Sequence, residues 1–167
     1  DRKMMAACGL NIMYGPQVDV STDPRWPRNS GTYGERPEIT AGITRELVRG
    51  YQNGADGLKE GAIALTVKHF PGDGCDERDQ HLVTTVNDLS CEDWDKTFGK
   101  VYKGMIDAGV PSIMVGHIMQ PAYSRALCPA IKDGEIMPAT VAPELLQGLL
   151  REKLGFNGLI VTDATHM

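Results

Sequence analysis

Ala62-Ile-Ala-Leu-Thr-Val67 runs directly into Lys68-His69-Phe70-Pro71-Gly72-Asp73-Gly74, and the reading of the fold starts at that junction. The apolar run is short and partly β-branched, as expected of one buried strand in a parallel sheet covered on both faces. A cation and an imidazole then stand at the strand's carboxyl end beside a Pro/Gly turn. Lys68 brings three donors and His69 one donor and one acceptor, a set suited to holding hydroxyls. Taken alone, the pair is also readable as a surface lysine beside a satisfied core histidine.

Three further runs read as strands: Leu10–Tyr14, extended through Val18-Asp19-Val20; Ser112–Val115; and Leu159–Val161. Helical periods lie between them. One helix opens at Pro37-Glu38, carries Ile39, Ile43, Leu47, Val48 and Tyr51 on its inner face, and ends at Asn53-Gly54. A second is capped by Ser90, buries Trp94, Phe98, Val101, Tyr102 and Met105, and stops at Gly109. A third starts from a Thr140 cap and runs through Leu145, Leu146, Leu149, Leu150 and Leu154. Gly116 to Pro138 reads as a long irregular connection. This alternation is the α/β signature of parallel strands with outer helices, and in such folds the loops at strand carboxyl ends carry the chemistry. Periodicity alone leaves an open sheet and a barrel both available.

The 167 residues hold 17 Lys plus Arg against 22 Asp plus Glu, a net charge of -5, with 41% hydrophobic residues. That excludes a disordered chain and a membrane-spanning helix. Dispersed charge argues against a nucleic-acid partner or an anionic membrane surface, leaving a small molecule. No Gly-rich phosphate-binding motif occurs, so no nucleotide is expected. The four cysteines are scattered without C-x-x-C, so free thiols are expected. With no H-E-x-x-H and no sequence cluster of His and Cys, neither a metal nor another cofactor is expected.

Three further groups of residues are candidates for chemistry. Asp79-Gln80-His81 lies on the loop beyond Gly74, where Asp79 can hold one tautomer of His81 and make it a general acid and base, or can simply be a solvated polar loop. Asp163 ends the last strand, where a carboxylate is costly unless it is paired or lines a cleft; nucleophile, helix cap and ion pair all remain open. Arg25, Trp26 and Arg28 fill the first long loop, where a ring can stack on a sugar and a guanidinium can fork vicinal hydroxyls, or the ring can pack inward. His117, just past the third strand, reads as structural.

In order along the chain, Gly15-Pro-Gln-Val-Asp19-Val20, Asp23-Pro-Arg-Trp-Pro-Arg28, Thr32-Tyr-Gly-Glu35, Lys68-His-Phe-Pro-Gly72 and Gly155-Phe-Asn-Gly158 leading to Val161-Thr-Asp163 resemble the amino-terminal barrel domain of glycoside hydrolase family 3. The resemblance implies a partial (β/α)8 TIM-type barrel, its middle portion, with about four parallel strands and outer helices in one unit, residues 1–167. It implies Asp163 as the nucleophile of a retaining mechanism, with Arg28, Lys68 and His69 gripping the terminal sugar. The spacing from Lys68 through Gly74 to Asp79-Gln-His81 is similar to the β-N-acetylhexosaminidase branch, where the His serves as acid/base. That branch usually has His where Asp73 stands, and the segments at Trp26 and Glu35 look more like the β-glucosidase branch. The implied activity is exo-acting hydrolysis of a β-glycoside, with β-N-acetylhexosaminidase first and β-glucosidase the alternative. Phosphorolysis and a non-catalytic carbohydrate-binding protein rank lower, and a metal-dependent hydrolase is a further rival. A cytoplasmic rather than secreted location is the expectation, as is an isolated fragment that is poorly stable and inactive.

Overall fold

The four apolar runs become parallel strands that hydrogen-bond in chain order. In the computed structural model, which describes residues 1–54 and 57–166, β1 (Ile12–Met13), β2 (Ala64–Phe70), β4 (Ser112–Val115) and β6 (Leu159–Thr162) form one sheet in the order β1-β2-β4-β6. Ile12 pairs with Ala64, Thr66 with Ser112, and Ser112 with Leu159. A doubly wound sheet reverses its strand order at a switch point, whereas sequential parallel strands with crossover helices are part of a (β/α)8 barrel. The order therefore settles what periodicity left open. Two short strands, β3 (Thr85–Val86) and β5 (Ile118–Met119), pair separately above it.

Three longer helices, over residues 37–52, 91–107 and 144–153, bury side chains against the sheet. α1 (Arg2–Ala7) precedes β1, and α2 (Pro37–Gln52) has proline in its first turn and ends at Asn53, whose φ of 61° makes the left-handed cap. α3 (residues 91–107) includes a π-helical stretch, Asp95–Gly99. Ser90 caps it by accepting from Asp93 N–H, and all five residues expected on its inner face are buried. Trp94 Nε1–H donates to Pro71 O at 2.8 Å and so ties α3 to the loop after β2.

Three expectations are corrected. α2 buries Thr40, Thr44, Val48 and Gln52, while Ile43 is exposed. Its polar inner face is tolerable because Thr44 donates to Thr40 O and Gln52 donates to Ala108 O at 2.9 Å. The stretch from Gly116 to Pro138 is not irregular throughout: it contains β5 and α4 (Pro121–Leu127), whose N-terminus is capped by the Gln120 side chain. α5 (Glu144–Lys153) starts after a 3-10 turn, Ala139–Val141, and Thr140 faces His117 Nδ1 at 3.2 Å instead of capping it.

Ile12, Tyr14 and Leu159, on or beside the two outermost strands, are 55%, 63% and 65% exposed. Among the described residues no helix is long and apolar enough to cross a membrane.

Candidate active site

Polar side chains gather where the parallel strands end. His69 is the penultimate residue of β2, Asp163 follows β6 directly, and Asp19 follows β1 in a segment whose Gln17 bridges Lys68. A barrel places its chemistry at this carboxyl face because the strands are rigid and the loops beyond them are free to vary. Two loops complete the site: residues 71–84, carrying Asp79 and His81, and residues 21–36, carrying Arg28.

Asp19 is fully buried and organises the centre. Its Oδ2 accepts from His69 Nδ1 at 2.8 Å, while Oδ1 accepts the backbone N–H groups of His69 at 3.1 Å and Asp73 at 2.9 Å. An ionised carboxylate only accepts, so His69 carries its hydrogen on Nδ1 and turns the lone pair of Nε2 outward. His81 repeats the arrangement: Asp79 Oδ1 lies 2.6 Å from its Nδ1 and accepts its backbone N–H at 3.0 Å. Burial alone would raise the Asp79 pKa, but the hydrogen bonds and charge of His81, with the Arg28 charge, hold it below the ordinary value.

Asp163 Oδ2 points between the two imidazoles, 3.4 Å from His69 Nε2 and 3.5 Å from His81 Nε2. Its other oxygen accepts Ala164 N–H at 2.9 Å. His69 Nε2 and Asp163 Oδ2 are buried with no hydrogen-bond partner. The helix-cap and ion-pair readings of Asp163 therefore leave its unpartnered oxygen unexplained. A carboxylate oxygen opposite an oriented imidazole can attack an electrophilic carbon while the imidazole moves a proton.

Arg28 enters the site against the His81 ring, its Nη1 2.8 Å from Nε2 and 2.9 Å from Nδ1. Trp26 is 1% exposed, part of the packed interior and not a platform for a sugar ring, and Arg25 pairs at the surface with Asp23 and Glu77. Lys68 is half-buried and makes no ion pair among the described residues. His117 is a tie: its N–H donates to Gln80 Oε1 at 2.8 Å and its Nε2 lies 2.8 Å from Ala164 O, next to Asp163. His69, His81 and Asp163 offer ligand atoms all within 4.8 Å of one another, so two of the histidines do come together, against the expectation that the His and Cys residues do not cluster.

Sequence reasoning missed Asp19 as a functional residue, although a carboxylate between two valines at a strand end is the same signal that singled out Asp163. It also missed Asp73, which is 2% exposed, with a pKa pushed up to about 8 by burial and by the charge of Asp19.

Fold and site define a (β/α)8-type domain with a carboxylate and imidazole centre at its carboxyl face. The family model described as Glycosyl hydrolase family 3 N terminal domain matches residues 1–167, and the chain belongs to that family. It is 51% identical over 162 residues to a "Beta-N-acetylglucosaminidase/beta-glucosidase" of Cellulomonas fimi, covering 96% of this chain and 28% of that protein. A solved structure titled "Beta-glucoside phosphorylase BglX bound to 2FGlc" is 42% identical with a TM-score of 0.91, covering 99% of this chain and 29% of that one. A glycoside hydrolase family 3 beta-N-acetylglucosaminidase from Paenibacillus sp. str. FPU-7 is 30% identical, with a TM-score of 0.83 over 99% of this chain and 28% of that one. The chain thus spans less than a third of these relatives.

Proposed function

We propose that the full-length protein is a retaining, exo-acting β-glycoside hydrolase, with β-N-acetylhexosaminides as substrates and β-glucosides as the alternative, and that residues 1–167 are the middle of its barrel. The observation that carries the reading is the His81 imidazole, held by Asp79 at 2.6 Å and standing 3.5 Å from Asp163 Oδ2. In the first step Asp163 Oδ2 bonds to the anomeric carbon as the bond to the leaving oxygen breaks, and protonated His81 Nε2 gives that oxygen its proton. In the second, neutral His81 takes a proton from water, which displaces Asp163 and restores the configuration. Asp79 keeps Nδ1 protonated throughout, so Nε2 is the atom that exchanges. Asp19 does the same for His69, whose Nε2 can then accept a sugar hydroxyl, with Lys68 and Arg28 as further donors.

In retaining glycosidases that use two carboxyl groups these stand roughly 5–5.5 Å apart. If the imidazole and carboxylate here take the same separation around a sugar, the 3.5 Å gap widens by about 2 Å. His81 is the partner that moves, being on a loop and 28% exposed, while His69 lies within β2 and Asp163 directly after β6, its N–H donating to Val115 O.

Phosphorolysis is the second reading. An imidazole in place of a second carboxylate does not repel an anion, and Arg28 adds positive charge beside it. The protein titled a beta-glucoside phosphorylase supports this variant. Four free thiols support a reducing, cytoplasmic location. The test is turnover of an aryl β-N-acetylglucosaminide and an aryl β-glucoside by the full-length protein, with and without phosphate, against Asp163→Asn. Acetamido preference supports the first assignment, glucoside preference the alternative, and sugar phosphate as product the phosphorolytic variant. Unchanged turnover in Asp163→Asn overturns all three.

A further inference from the structure

The loop that carries His81 buries a polar side chain and exposes apolar ones. Leu82 and Val83 are 85% and 46% exposed, whereas Gln80, between Asp79 and His81, is 2% exposed. Burial of apolar surface favours the reverse, so Gln80 is placed by a bond. Its Oε1 accepts His117 N–H at 2.8 Å. With an N–H opposite, the amide oxygen faces inward, and Nε2 is left buried without a partner among the described residues. Gly116 makes the approach possible, since a Cβ there would stand 2.5 Å from Gln80 Oε1.

His117 is in turn bound at each of its four polar groups. Its C=O accepts Thr85 N–H at 3.3 Å, where the loop ends. Its Nε2 lies 2.8 Å from Ala164 O; a carbonyl only accepts, so Nε2 carries the hydrogen and Nδ1 takes that of the Thr140 hydroxyl at 3.2 Å. Ala164 N–H is the group that holds Asp163 Oδ1. His117 therefore joins the loop that carries His81 to the peptide that orients Asp163.

We propose that Gln80 and His117 are positioning residues that set His81 against Asp163: Gln80 latches the acid/base loop to the His117 backbone, and the His117 ring fixes the peptide after Asp163. The latch rests on the hydrogen bonds alone; its effect on catalysis rests on the glycosidase reading above.

The test uses the full-length protein and two readouts. Hydrogen exchange reads the latch without turnover. In Gln80→Met, which keeps the length and loses the acceptor, and in Gly116→Ala, which displaces the amide, residues 76–84 should exchange about tenfold faster while α3 keeps its protection. Kinetics read the consequence. Gln80→Met should lower kcat/KM by about tenfold or more on aryl β-glycosides with poor leaving groups and by less than about threefold on activated ones. His117→Ala, which also frees Ala164, should slow labelling of Asp163 by an activated 2-deoxy-2-fluoro glycoside about tenfold more than Gln80→Met does. His117→Gln, whose amide can still donate to Ala164 O, should recover most of that loss. Loop exchange unchanged in both Gln80→Met and Gly116→Ala overturns the latch. Faster exchange with equal losses, or none, on the two classes of leaving group overturns its role in placing His81. Labelling no slower in His117→Ala than in Gln80→Met overturns the link to Asp163. A parent that cleaves no glycoside refutes the glycosidase reading, while faster loop exchange in the two variants still upholds the latch.

Discussion

Replacing Asp19 by Asn in the full-length protein separates the charge of this residue from its shape. The amide oxygen can still accept the N–H groups of His69 and Asp73, but the amide nitrogen now faces His69 Nδ1, where an acceptor stood at 2.8 Å. A buried, charge-assisted bond of this kind is worth about 1.5–3 kcal/mol. Without the Asp19 charge Asp73 is held less strongly in its protonated form, which returns part of that loss, so unfolding should become easier by about 1–2 kcal/mol. The catalytic effect should be larger in kind. To avoid two opposed donors, His69 shifts its hydrogen to Nε2, which then donates toward Asp163 and no longer accepts a sugar hydroxyl. The account expects kcat/KM on an aryl β-glycoside to fall by about 10- to 100-fold, the kinetic equivalent of that bond. Denaturant unfolding gives the stability term and steady-state kinetics the other. A variant with kcat/KM within threefold of the parent and unchanged unfolding would show that Asp19 does not set the state of His69.

Asp79→Asn and His81→Gly should each cost about 10²–10⁴-fold in kcat on substrates with poor leaving groups and far less on activated aryl glycosides; equal losses on both would sink the acid/base role. Asp73 has a folded pKa of about 8, so the native state keeps a proton that the unfolded chain releases near pH 4. Stability should fall as pH rises between those values, at up to about 1.4 kcal/mol per pH unit, and Asp73→Asn should flatten that slope in a pH series of unfolding midpoints. Gly74 has φ of 113°, and a Cβ there would sit 2.4 Å from Val20 O, so Gly74→Ala should displace the acid/base loop and abolish turnover even where the circular dichroism spectrum persists. Residues 1–167 expressed alone should unfold at low denaturant and bind a hydrophobic dye, because the apolar flanks at Ile12 and Leu159 are open; a cooperative transition without dye binding would contradict this.

The strands were legible because each run is short and apolar, although only β2 and β4 are well buried, β1 and β6 hold no buried residue, and β2 continues past Val67 through His69 to Phe70. The α3 face was legible for the same reason: Trp94, Phe98, Val101, Tyr102 and Met105 repeat at helical spacing and nothing competes with them. α2 was misread because the largest side chains do not line the packed face; the smaller Thr40, Thr44 and Val48 do, with the Thr44 hydroxyl satisfied within the helix. Trp26 stayed open between a sugar platform and a packed ring because one sequence cannot tell whether a loop aromatic turns in or out. The carboxylates behind the histidines divide the same way. Asp79 is two residues from His81 and visible in the sequence, whereas Asp19 is 50 residues from His69 and becomes its partner only when β1 and β2 pair. The meeting of His69, His81 and Asp163 was invisible for that reason as well, since they come from three separate segments.

The central claim is that Asp163 forms the glycosyl bond. Incubating the full-length protein with an activated 2-deoxy-2-fluoro glycoside, which enters the first step but is slow to leave, and sequencing the modified peptide by mass spectrometry tests it directly. The account predicts one fluoroglycosyl group, carried by the Asp163 side chain and missing in Asp163→Asn. A label on another carboxylate, or steady turnover with none at Asp163, would contradict it.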